Sequence, residues 1–189
     1  MAPSDRSPRF VACQSTRRGS VGLHNPGMNM TVREAVPSDA EAVRLVASVS
    51  WRDTYADLLA ASTIEAFLAA AYAVELVERR IARDTLLVVE RGDQIVAFAD
   101  AVKERGHLRL AAIYALPEWR GRGAGTTLLA TLRSRFPDLP VSADVLLGNR
   151  KGEVFYEHRG FVPRESLDVD LFGESVVERR WWLGPPSRD

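Results

Sequence analysis

From Met30 onward the apolar residues recur with the two periods that mark strands and helices. Thr31–Val36 reads as a strand and is followed by Pro37. Ser38 and Glu41 then stand three residues apart, a capping-box spacing, and predict a helix whose apolar face is Val43, Val46, Ala47 and Val49. Ser62 and Glu65 repeat that spacing and predict a longer helix running to about Arg83. The stretch between the two, Trp51-Arg52-Asp53-Thr54-Tyr55, is rich in aromatic residues and is expected to be partly irregular.

Further along, the pattern changes to short apolar runs. Thr85–Glu90 and Gln94–Val102 flank Arg91-Gly92-Asp93, a hairpin signal. A turn containing Gly106 leads to a third run, Leu108–Ala115, which Pro117 ends. A glycine-rich loop then opens a helix expected to end near Pro137. Val141–Leu147 predicts another strand, and Arg150–Arg159 a short helix with Gly160 as its C-terminal cap. Ser166–Leu171 and Val176–Leu183 predict a hairpin around Gly173. The order β-α-α-β-β-β-α-β-α-β-β implies a mixed α/β domain on a central antiparallel meander.

Composition narrows the classes. Apolar residues make up 46% of the 189 and charged residues 26%, which supports a packed core. Acidic and basic residues balance at 25 each, so no global charge draws the chain to nucleic acid or an anionic membrane. Cys13 is the single cysteine, which excludes an intramolecular disulfide, and His24, His107 and His158 are too scattered for a zinc site. No apolar run approaches the roughly 20 residues that span a bilayer, and the N-terminus lacks the apolar core of a signal peptide. A cytoplasmic setting is the expectation. Residues 1–28, with Pro3, Pro8, Pro26 and the pair Arg17–Arg18, lack sustained periodicity and are expected to be a flexible extension. Residues 29–184 form the domain and 185–189 a short tail.

The densest chemistry lies in Leu110–Leu129, LAAIYALPEWRGRGAGTTLL. A strand feeds a loop containing Gly121, Gly123 and Gly125, which runs directly into a helix. Glycines let several backbone N–H groups converge on one anion, the helix N-terminus adds partial positive charge, and Arg120 and Arg122 add full charges. Those features suit a pyrophosphate, although glycines are also needed for turns, and loop arginines are often simply solvated. No Lys-Ser/Thr follows at P-loop spacing, and no acidic residue stands at the distance of a dinucleotide fingerprint.

Arg120-Gly121-Arg122-Gly123-Ala124-Gly125 matches the Q/R-x-x-G-x-G/A signature of GNAT acyltransferases, and Ile113–Trp119 is similar to that family's lead-in. Downstream, Asn149, then Phe155-Tyr156-Glu157 and Gly160-Phe161, resemble the family's second motif. The resemblance extends from about Met30 to Leu183. It implies a mixed, mainly antiparallel sheet flanked by helices, and N-acetyl transfer from acetyl-CoA to a primary amine, with no metal. It also implies roles. Backbone groups of Tyr114 and Ala115 would bond the pantetheine arm, and N–H groups from Arg120 through Gly121, Arg122, Gly123, Ala124 and Gly125 to Thr126 would hold the pyrophosphate. Asn149 would contact the CoA arm, and Tyr156 would protonate the departing thiolate.

Each role has a plainer counterpart. Asn149 caps a helix equally well, and Tyr156 packs equally well beside Phe155. Trp51 and Tyr55 fit either an acceptor pocket or helix packing, and Glu157 and His158 fit a helix surface. The strand His107–Ala112 lacks the carboxylate that many relatives use as a base, leaving Asp100, Asp144, His107 or a water chain. Rival functions are a non-catalytic acyl-CoA-binding module and a nucleotide-binding α/β protein. Trp181-Trp182 is a candidate contact for a homodimer; the amine acceptor is unspecified.

Overall fold

The computed structural model describes residues 30–83 and 85–184. The extension expected over 1–28, with Cys13 and His24, and the tail 185–189 lie outside the described residues.

Seven strands form one sheet: β1 (Met30–Glu34), β2 (Leu86–Arg91), β3 (Gln94–Glu104), β4 (His107–Ala115), β5 (Val141–Leu146), β6 (Val162–Leu171) and β7 (Glu174–Leu183). Their order is β1-β2-β3-β4-β5-β7-β6. Every ladder is antiparallel except β4–β5, which is parallel. The parallel step requires a crossover, supplied by α4 (Ala124–Arg135).

Helices cover both faces. Residues of α1 (Ala40–Tyr55), α2 (Ala61–Ala71) and α3 (Val74–Ile81), among them Val43, Val46 and Val77, pack with Val88 and Phe98. On the other face Leu128 and Leu132 of α4 and Tyr156 of α5 (Arg150–Glu157) pack with Val89, Ala99, Val141 and Trp181. Neighbouring residues of β2 divide accordingly, Leu86 and Val88 to one face and Leu87 and Val89 to the other. This explains why Thr85–Glu90 reads as a continuous apolar run.

Four local expectations are corrected. Ser38 does not cap α1; Asp39 accepts from the Val36 N–H at 2.7 Å and pairs with Arg33, after a 3-10 turn over Pro37–Asp39. Ser62 does not cap α2 either, because the helix starts at Ala61 with Ala60 as its N-cap and Ser62 already stands in the first turn; Glu65 is held in a two-point pair with Arg52. The helix expected to run to Arg83 breaks at Tyr72 and Ala73, whose backbones leave the helical region. Burial of the Tyr72 ring against Phe98, with the Arg80 guanidinium 4.5 Å above it, favours the break. Finally, Trp51–Tyr55 is helical to the end of α1, since Trp51 and Tyr55 both face the core.

Candidate active site

Strands β4 and β5 pair only at Leu108–Val141, Arg109–Ser142 and Leu110–Ala143 and then part. The gap widens into a cleft of about 700 Å³ lined by residues Leu110–Ala115, by the loop and first turn of α4, and by α5. Leu116 N–H donates to Val96 O at 3.0 Å. In an antiparallel ladder the bonded pairs alternate, so Tyr114 exchanges bonds with Phe98 of β3, which corrects the expectation that its backbone is open to a ligand. The main-chain groups of Ile113 and Ala115 therefore point the other way, towards the gap. The Ala115 carbonyl accepts from Ser50 Oγ at 3.1 Å and from Arg120 Nε at 3.3 Å, which leaves its N–H facing the cleft.

The glycine loop closes one end. Gly121 and Gly123 hold φ of 71° and 92°, and Gly123 is the N-cap of α4. An L-residue with a side chain rarely adopts that conformation. Thr127 N–H makes the first helical bond, to Gly123 O, so the N–H groups of Ala124, Gly125 and Thr126 have no helical acceptor. Gly125 serves a different purpose. A Cβ placed there would lie 2.7 Å from the Phe155 ring, so its missing side chain lets α4 approach α5.

The opposite wall is made of side chains. Asn149 is the N-cap of α5, its Oδ1 accepting from Gly152 N–H at 3.0 Å, while its Nδ2 donates to Tyr55 Oη at 3.4 Å. Trp51 Nε1 donates to Tyr114 Oη at 3.0 Å, so Trp51, Tyr114, Tyr55 and Asn149 line up beneath the cleft. Burial pushes the Tyr55 phenol up to about 12. Tyr156 lines the cleft with its ring edge-on to Phe155 and Phe161, at 5.1 and 5.0 Å, and is 7% exposed. Burial also pushes its phenol well above the ordinary value, so it keeps its proton throughout the neutral range.

Of the three base candidates, only Asp144 lines the cleft, and it is gripped at two points by Arg180, at 2.7 and 2.8 Å. Asp100 is 0% exposed and lies 3.6 Å from both Arg80 and Arg83. Asp100 is thus a buried strand residue rather than a base facing the cleft. Burial raises its carboxyl. The His107 ring lies tilted against Trp182, 5.0 Å between centroids, and meets Glu104, and it does not line the cleft. Sequence reading missed Glu178, two residues before Arg180 on β7, whose carboxyl is raised by burial and then by Asp144. It also missed Lys151 and Arg159 on the cleft wall. Arg159 donates to Thr126 Oγ1 at 2.5 Å and to Phe155 O at 2.7 Å. Arg122 does not line the cleft; its guanidinium lies 5.2 Å over the Trp119 ring. Trp181 is 6% exposed and belongs to the core, which removes half of the expected dimer contact. Among the described residues no cluster suited to a metal is present, and no helix is long and apolar enough to cross a membrane.

A family model described as an acetyltransferase (GNAT) domain matches residues 82–163. The fold is shared with a PaiA N-acetyltransferase from Thermoplasma acidophilum solved in complex with coenzyme A: TM-score 0.69, 24% identity, over 80% of this chain and 98% of that one. A GCN5-related N-acetyltransferase from Rhodopseudomonas palustris gives TM-score 0.68 at 22% identity, over 81% and 94% of the two chains. YjaB from Escherichia coli, in its apo form, gives 0.64 at 23%, over 83% and 99%. No curated protein matches the chain.

Proposed function

With a GNAT acetyltransferase domain matched over residues 82–163 on a GNAT fold as the premise, we propose that this acyltransferase moves an acetyl group from acetyl-CoA to a primary amine by direct attack in a ternary complex. The observation that carries the reading is the continuity of the cleft. An open strand edge at Ile113 and Ala115 leads directly to three unpartnered N–H groups at the start of α4. An extended, amide-bearing arm ending in a diphosphate fits that sequence of donors and acceptors.

The chemistry asks little more of the protein than positioning. The amine nitrogen attacks the thioester carbon, the C–S bond breaks, and the thiolate takes a proton. The Ala115 N–H is the donor aimed at the carbonyl oxygen as negative charge builds on it. Tyr156, protonated and buried in the cleft wall, supplies a proton to sulfur, and Asn149 holds the turn beside the CoA arm. A free thiol has a pKa of about 8.5, so the donated hydrogen bond matters more than the acidity of the phenol. Asp144 is the one base candidate on the cleft wall, and it would take the proton of the amine only by loosening its pair with Arg180.

A screen of acetyl-CoA consumption over chemically diverse amines tests the reading, with mass spectrometry of the product. Acetylation of any amine supports it. CoA binding without turnover on the whole panel would instead favour the second reading, a non-catalytic acyl-CoA-binding module. One observation supports that alternative: Asp100 and His107 stand outside the cleft and Asp144 is committed to Arg180.

A further inference from the structure

Four basic side chains, Arg120, Lys151, His158 and Arg159, line the cleft. One carboxylate bridges two of them. Asp53, in the last turn of α1, accepts from Arg120 Nη1 and, at 3.0 Å, from Lys151 Nζ. Arg120 stands on the loop wall before α4, and Lys151 in the first turn of α5, on the facing wall. Asp53 thus ties the two walls together across the cleft.

The bridge is held by its cations and by little else. A carboxylate in the last helical turn meets the negative end of the helix dipole, which disfavours it. The hydrogen bond from Arg120 first, and from Lys151 second, holds the Asp53 carboxyl below the usual range. Its side chain is 37% exposed and that of Lys151 is 62% exposed. Exposed pairs of this kind contribute little, because solvent screens them. A ligand carrying several phosphate charges, already drawn by the free amides of α4, is a stronger partner for the same two cations.

Resting on the acetyl-CoA reading above, we propose that Asp53 is an internal counter-anion occupying the place of a CoA phosphate on Arg120 and Lys151, and that the bound ligand displaces it. Lys151 then becomes a phosphate-binding residue, and CoA binding breaks the tie that Asp53 makes between the two walls.

Isothermal titration calorimetry on the full chain decides the matter, with CoA and with pantetheine, which has the same arm but no phosphate. Asp53→Asn removes the competing charge and should tighten CoA by about 3- to 10-fold, the size expected from two weak pairs; pantetheine should be unaffected. Lys151→Met should weaken CoA several-fold and likewise leave pantetheine unchanged. Unchanged or weaker CoA binding by Asp53→Asn would overturn the proposal, because the bridge would then be a fixed part of the wall. An equal gain for pantetheine would also overturn it, since the effect would not depend on phosphate. Undiminished CoA binding by Lys151→Met would remove that residue from the site. If the unaltered chain bound no CoA, the acetyl-CoA reading itself would fall, a result distinct from all of these. Melting curves of both variants confirm that the fold persists.

Discussion

The two edges of β4 are bonded very differently. Towards β3 the ladder runs along the strand from His107 to Ala115, while towards β5 it stops after three pairs. Main-chain polar groups inside a protein nearly always find partners, so an edge left open beside a cleft takes its partners from water or from a ligand that completes the ladder. The closed edge stabilises the sheet; the open edge gives the sheet something to bind. The cleft walls differ in the same way. The β4–α4 wall offers backbone N–H groups, whereas the β5–α5 wall offers side chains.

Substitutions on the two walls should therefore fail differently. The largest effect is expected at Tyr156. Tyr156→Phe keeps the ring between Phe155 and Phe161 and removes one hydroxyl. Turnover should fall by about 10- to 1000-fold, in line with general-acid contributions, while the CoA dissociation constant moves only a few-fold. Steady-state kinetics with any accepted amine, at saturating acetyl-CoA, measure this. Unchanged kcat would reduce Tyr156 to a packing residue.

On the backbone wall, Gly125→Val should damage fold and binding together. Its branched side chain would push into Phe155, and overpacking of this kind costs about 1–3 kcal/mol. A lowered Tm with weakened CoA binding is expected; a normal Tm would mean that Phe155 swings aside. Gly123→Val acts otherwise, because nothing crowds that position and only the φ of 92° resists it. Strain of about 1–2 kcal/mol is expected, and the amides of Ala124 to Thr126 should turn away, so CoA binding is lost with the fold retained. Normal affinity in this variant would break the assignment of the loop.

Asn149→Ala tests whether the second wall is only structural. Loss of the cap should lower stability by about 1 kcal/mol. A fall in CoA affinity beyond the change in Tm would show that Asn149 also contacts the ligand. The smallest effect is expected from a chain that begins at Met30, with the Tm and CoA affinity of the full chain retained. A large drop in either would give the first 28 residues a part in the fold or the site.

Elements were legible in the sequence where local signals and burial agreed. The hairpin at Gly92, the turn at Gly106 and the cap at Gly160 all stand at positive φ, as a glycine in those positions suggests. The break at Tyr72 carries no glycine or proline, so only the fit of its ring against Phe98 and Arg80 reveals it. Ser38 and Ser62 satisfied a capping pattern, yet Ser38 stands inside the 3-10 turn that Asp39 closes and Ser62 inside the first turn of α2, because each helical segment starts before the serine.

By itself the sequence determined the strand, glycine loop and helix that close one end of the cleft, since adjacent residues dictate local backbone geometry. The tertiary structure alone decided which charges face that cleft. Asp53, Lys151 and Arg120 come from three separate segments, and only the packing of α1 against the parted strands brings them together. The packing of α3 placed Asp100 beside Arg80 and Arg83, and the pairing of β5 with β7 set Asp144 beside Arg180 in the cleft, a choice that no periodicity records, because it depends on which distant segments pair and pack.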